Sequence, residues 1–150
     1  MIVNGPSLLA AAPLSPMLDH KARSGGVTHG MSEAGYDLRI KDAITLHPFR
    51  RFARASTVER FVMPCNMVAI VHDKSTWIRR GLMVGNSVAE PGWCGWLTLE
   101  LFYHGMGILR IPAGAGIAQA IFHEVQHPAQ YVGRYQDQPD RPVAAKAVEP

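Results

Sequence analysis

The chain has 150 residues, 47% of them hydrophobic, which suits one compact domain with its own core. A mild formal charge of +3 argues against a nucleic-acid polymer as partner and fits small anionic ligands better. Fourteen glycines and eleven prolines favour short strands and turns over long helices, and no stretch approaches membrane-spanning length.

Met1-Ile2-Val3 followed by Leu8-Leu9-Ala10-Ala11-Ala12 superficially resembles an export signal. No positive charge precedes the apolar run, and Pro6, Pro13 and Pro16 interrupt it, so a cytoplasmic protein is expected. Ser7–Ala12 is predicted to form a short helix that Pro13 stops, and the stretch through Arg23-Ser24-Gly25-Gly26 reads as loop. Tyr36–Ile40 alternates apolar and polar residues as a strand does. His47–Arg54, basic and aromatic, reads as an edge strand or an exposed loop. Met67–His72 is apolar on both faces, the mark of a buried strand. Asp73–Gly81 is predicted to be an internal helix, capped by Asp73 or Ser75 and ended by Gly81. Strands are expected at Leu97–Phe102, Ile108–Ile111 and Ile117–Phe122, with glycine-containing turns between them. The tail from 139 to 150, rich in proline, alanine and charge, is expected to be mobile. Many short strands with one short internal helix imply a mainly β, single-domain barrel or jelly-roll-like fold. Cys65 and Cys94 form no Cys-x-x-Cys pair, so two reduced, buried thiols are expected.

Three places carry chemistry. A helix across Lys74–Arg79 puts Ser75 and Arg79, four apart, on one face. Helix-terminal amides and Lys74 suit phosphate, although a capped surface helix with solvated cations has the same pattern. In the strand Leu97–Phe102, Thr98, Glu100 and Phe102 share one face. Glu100 either meets solvent or sits in a pocket, where burial would raise its pKa and let it take and give protons near neutrality. Glu90, before the Pro91-Gly92 turn, either accepts a sugar hydroxyl or stays in water. The histidines lack metal-ligand spacing, and Pro64-Cys65 has no partner cysteine three positions on, so no zinc site is expected.

Six segments in order, from about Ser32 to Gln138, resemble the dCTP deaminases of the dUTPase-like superfamily. They are Tyr36-Asp37-Leu38-Arg39; Thr57-Val58-Glu59 with Pro64; Lys74-Ser75-Thr76 with Arg79 and Gly81-Leu82; Glu90-Pro91-Gly92-Trp93 with Leu97-Thr98-Leu99-Glu100; Gly116-Ile117-Ala118-Gln119; and Arg134-Tyr135-Gln136-Asp137-Gln138. The resemblance implies a distorted dUTPase-like β-barrel, assembled as a homotrimer with its sites between subunits. It also implies zinc-independent hydrolysis of dCTP to dUTP and ammonia, with Mg2+ accompanying the triphosphate. Glu100 would be general base and acid, Ser75 would help hold the water, and Arg79 would orient Glu100 or support developing charge beside C4. Lys74, Ser75 and Thr76 would bind phosphate oxygens, with Tyr131, Arg134 and Gln138 closing from the tail. Gln119 and the backbone of Thr98, Leu99 and Glu100 would read the base, and Glu90 would lie near the deoxyribose. Arg134 stands where the family has lysine, and Asp137 where it has glycine. A bifunctional deaminase and dUTP diphosphatase, a dUTPase-like pyrophosphatase of altered base preference, and a silent nucleotide binder are the alternatives on this scaffold.

Overall fold

A computed structural model describes residues 1–147 of the chain. Its strands are β1 (Ile2–Val3), β2 (Leu14–Ser15), β3 (Lys21–Ser24), β4 (Val27–Met31), β5 (Tyr36–Arg39), β6 (Ile44–Leu46), β7 (Phe52–Val62), β8 (Met67–Asp73), β9 (Leu82–Val84), β10 (Ser87–Ala89), β11 (Cys94–Tyr103), β12 (Leu109–Ile111) and β13 (Gly116–Glu124). Two helices, α1 (Gly5–Ala11) and α2 (Ser75–Ile78), complete it. One sheet runs β10-β8-β13-β5-β4-β3 with β1 on β13, a second runs β2-β7-β11-β9, and β6 with β12 makes a ribbon. All of these pairs are antiparallel. The fold is therefore mainly β, as the sequence pattern implies. No helix among the described residues is long and apolar enough to cross a membrane.

Alternation along the strands builds the core. Tyr36, Leu38, Phe61, Leu99, Leu101, Ile117 and Phe122 are fully or almost fully buried between the sheets. Two ion pairs with a buried carboxylate each take one partner from β5, Arg39 in one and Asp37 in the other. Arg39 donates to the Glu59 carboxylate at 2.7 Å, and the Arg39 amide donates to its other oxygen at 2.9 Å. Burial pushes the Glu59 carboxyl up, against the pull of these hydrogen bonds and of the guanidinium charge. Lys74 pairs with the buried Asp37.

Four local expectations are corrected. The stretch around Gly25-Gly26 is a hairpin rather than loop: both glycines take positive φ (57° and 77°), so a two-residue turn joins β3 to β4. The segment His47–Arg54 is split, because His47 and Arg50 close a turn and Phe52–Arg54 begin β7, an interior strand. The internal helix shrinks from Asp73–Gly81 to Ser75–Ile78. Asp73 ends β8, and its carboxylate accepts the Val84 amide at 2.5 Å instead of capping. Amide bonds from Arg80 to Trp77 and from Gly81 to Ile78, each spanning three residues, then tighten and end the helix. Cys65 is exposed because it lies in the turn between β7 and β8, and Cys94 is half-buried; both are free thiols.

Candidate functional site

The long β7–β11 pair positions the site. Register sets Glu100 opposite Arg54 and Phe102 opposite Phe52, with Val84 to Leu82 of β9 along the other edge. A shift between Trp96 and Thr98 marks an irregularity just before the polar face. Beyond it, Leu99 and Leu101 turn into the core while Thr98, Glu100 and Phe102 line a cavity of about 510 Å³. Phe52, Arg54, Ser87, Val88, Glu90 and Trp93 form further parts of its wall. Burial lifts the Glu100 carboxyl above its ordinary range, against its backbone hydrogen bond and the Arg54 charge. Glu100 is thus pocketed, the arrangement that suits proton exchange nearer neutrality.

The chain after β13 supplies the opposite wall. Tyr131, Tyr135, Gln138 and the segment Val143–Ala145 line the same cavity. Several bonds pin this return. The Trp93 indole N–H donates to the Tyr135 carbonyl at 2.7 Å, and the Cys94 amide donates to the Gln136 side-chain oxygen at 3.0 Å. Gln138 bridges to Gly95 in parallel, and the Trp96 amide donates to its carbonyl at 3.2 Å. Thr98 stands at the centre: its hydroxyl donates to the Gln138 side-chain oxygen at 3.2 Å and accepts the Val143 amide at 3.0 Å. Asp137 takes φ 57°, a left-handed conformation that Asp tolerates better than most side chains, and so it fills a glycine-like position. The portion of the expected mobile tail up to Ala147 lies against the cavity, and 148–150 fall outside the described residues.

The sequence-predicted residues fall into two groups. Glu90, Thr98, Glu100, Tyr131 and Gln138 meet in the cavity. Lys74, Ser75, Thr76, Arg79 and Gln119 do not line it. Instead α2 follows β8, where Gln119 pairs in register with both Asp37 and His72, and Asp37 holds Lys74. Gln119 also donates to the Ser32 hydroxyl at 3.0 Å. Ser75 and Arg79 are one helical turn apart, since the Arg79 amide donates to the Ser75 carbonyl at 3.1 Å. Trp77, only 1% exposed, anchors α2 by donating to the Gly116 carbonyl at 2.6 Å. Arg134 also stands off the cavity, its guanidinium 3.3 Å from the Ala147 carbonyl.

Sequence reasoning missed Arg54, Phe52 and Tyr135 in the cavity and Asp37 beside Lys74. A period-two reading of Phe52–Ala55 would have placed Phe52 and Arg54 on one face and the two alanines inside. Asp37 showed only as a polar position in a strand. One of its carboxylate oxygens is buried without a hydrogen-bond partner, while the other takes Lys74 and the Thr28 hydroxyl.

Comparison with known proteins places this geometry. The family model for dCTP deaminase-like proteins matches residues 36–125. The chain is 31% identical to a dCTP deaminase of Roseiflexus castenholzii, over 83% of this chain and 86% of that protein. It is 30% identical to a dCTP deaminase of Campylobacter curvus, over 85% of this chain and 86% of that protein. Among solved structures it resembles the dUTPase of EIAV, with a TM-score of 0.56 and 19% identity, over 68% of this chain and 84% of that one. It also resembles a mutant dUTPase from phage phi11 of S. aureus, with a TM-score of 0.59 and 14% identity, over 81% and 95% of the two chains. The phi11 structure is described as coordinating a structural Mg(II) ion. The two dUTPases establish the shared fold.

Proposed function

We propose, from the premise that the chain belongs to the dCTP deaminase-like family of enzymes, that it hydrolyses dCTP to dUTP and ammonia with Glu100 carrying the protons. The observation that carries this reading is the half-buried Glu100 carboxyl, lifted by burial and facing a cavity walled by Thr98, Glu90 and Gln138. In the reaction the Glu100 carboxylate takes a proton from water as the water oxygen adds to C4 of cytosine. The resulting carboxylic acid gives that proton to the ring nitrogen N3. Glu100 then moves the proton of the new C4 hydroxyl to the amino group, the C4–N4 bond breaks and ammonia leaves. The backbone at Thr98 would read the base, Gln138, hydrogen-bonded to the Thr98 side chain, would close on the phosphates, and Glu90 would lie near the sugar.

Ser75 and Arg79 are assigned to water holding and to orienting Glu100, and Lys74 and Thr76 to phosphate. On one chain this second group lies outside the Glu100 cavity. That separation supports a site shared between copies, with α2 of one subunit closing the cavity of another in a homotrimer. Magnesium fits as a companion of the triphosphate. No group of three or more His, Cys, Asp or Glu side chains is gathered among the described residues, and Mg2+ prefers phosphate oxygens and water to a protein cage. When bound it would neutralise phosphate charge beside Lys74 and Arg134.

Glu90 gives a second carboxylate in the same cavity and favours one further activity, in which it helps a water attack the α-phosphate and release pyrophosphate. Replacing Glu100 tests the main reading. Glu100→Gln should bind dCTP with near-native affinity by calorimetry and lose deamination by ~10²–10⁴-fold, the scale of general acid–base catalysis. Retention of most turnover would remove Glu100 from the mechanism.

A further inference from the structure

Arg54 is a cation that the proposed reaction leaves without a task. It lies on β7 directly opposite Glu100 of β11, so the two side chains rise from neighbouring positions on one face of the pair. Both line the same cavity. Arg39, Lys74 and Lys41 are each committed to a carboxylate, whereas Arg54 forms no ion pair among the described residues. Its guanidinium lies 5.9 Å from the centre of the Phe52 ring, and Phe52 meets Phe102 at 5.1 Å. The guanidinium is therefore held over an aromatic ledge on the face of the strand pair that carries Glu100.

We propose that Arg54 is a positioning residue for Glu100: from the opposing strand it keeps the carboxylate turned into the cavity in its proton-accepting form. The physical need follows from the site. A carboxylate moved partly out of water tends to hold its proton, and a protonated Glu100 cannot accept one from water. A guanidinium stays charged at every working pH, so its field on Glu100 is permanent. Arg54 opposes the effect of burial in this way, although burial dominates. Among the described residues that line the cavity Arg54 is the only Lys or Arg, and Arg79, assigned above to orienting Glu100 from another copy, would act on the carboxylate in the same direction. β9 brings only Leu82, Met83 and Val84, while the cavity walls bring Glu90, Tyr131 and Tyr135.

This proposal rests on Glu100 being the proton carrier, and its test separates the two ideas. Arg54→Met keeps an unbranched apolar stem on the Phe52 ledge, Arg54→Lys keeps the charge, and Arg60→Met removes another cation from the same strand, one that stacks on Trp96. The Glu100 carboxyl is titrated in each protein by carbon-13 NMR of glutamate-labelled samples, with Glu100→Gln assigning the signal. Turnover of dCTP is measured against pH alongside. Loss of the cation should move the Glu100 titration to higher pH in Arg54→Met, with Arg54→Lys close to the parent and Arg60→Met unchanged. Because the ionised carboxylate is the active form, the acid limb of kcat/KM should move upward with it. An unmoved NMR titration overturns the proposal whether or not dCTP is a substrate. A moved titration with an unmoved pH profile also overturns it, since the coupling then has no bearing on turnover. If the parent protein leaves dCTP untouched, the deaminase reading fails by itself, and the NMR series still decides whether Arg54 acts on Glu100.

Discussion

Trp77 ties the short helix α2 to the core, and its removal should be costly. A four-residue helix cannot hold itself together in water, because nucleation fixes several dihedrals for one hydrogen bond. α2 must therefore draw its stability from tertiary contacts, of which Trp77 is the deepest at 1% exposure. A buried tryptophan hides about 200 Å² of surface, worth about 5 kcal/mol at ~25 cal/mol per Å² as an upper bound. Large-to-small changes at such sites measure about 3–5 kcal/mol, and we expect Trp77→Ala to fall there. Trp77→Phe keeps most of the ring area but strips the N–H from the Gly116 carbonyl, 2.6 Å away in a buried strand. That change should cost about 1–3 kcal/mol, the penalty for a buried acceptor left without its donor. Urea unfolding followed by far-UV circular dichroism, at one fixed protein concentration, measures both variants. A Trp77→Ala stability within about 0.5 kcal/mol of the parent, the range of ordinary surface substitutions, would refute the argument that Trp77 anchors α2.

Two further expectations concern the site. Arg134→Ala should raise KM for dCTP several-fold while leaving kcat nearly intact, because a phosphate contact made equally in ground and transition states contributes uniform binding; steady-state kinetics with an unchanged KM would remove Arg134 from the phosphate site. If cavity and α2 come from different copies, inactive Glu100→Gln and inactive Arg79→Ala subunits, co-refolded as a mixture, should regain part of the parental activity. Size-exclusion chromatography confirms that mixed oligomers formed, and the absence of any regained activity in them would place both residues in one subunit's site.

Much of the framework was legible because it is local. Apolar alternation announced β5 and a run apolar on both faces announced β8, while the face shared by Thr98, Glu100 and Phe102 of β11 is the face that lines the cavity. The Gly25-Gly26 pair carried a hairpin signal that flanking polar residues masked, since β3 is an edge strand with no strongly apolar face. The helix over Asp73–Gly81 was overextended because capping residues are ambiguous: only the folded chain shows Asp73 bonded to Val84. Arg54 was hidden for another reason. Its meaning lies in a register partner 46 positions away, and no local period encodes which strand will lie opposite. The contacts after β13 are equally non-local, since Gln138 and Val143 meet Thr98 through hydrogen bonds between residues 40 and 45 positions apart.

The most direct measurement is incubation of the purified protein with dCTP and Mg2+, with nucleotides resolved by chromatography and ammonia assayed in parallel. dUTP and ammonia should appear in equal amounts. dUMP with pyrophosphate alongside the ammonia would add the phosphate-cleaving activity assigned to Glu90, whereas unchanged dCTP would contradict the account at its centre.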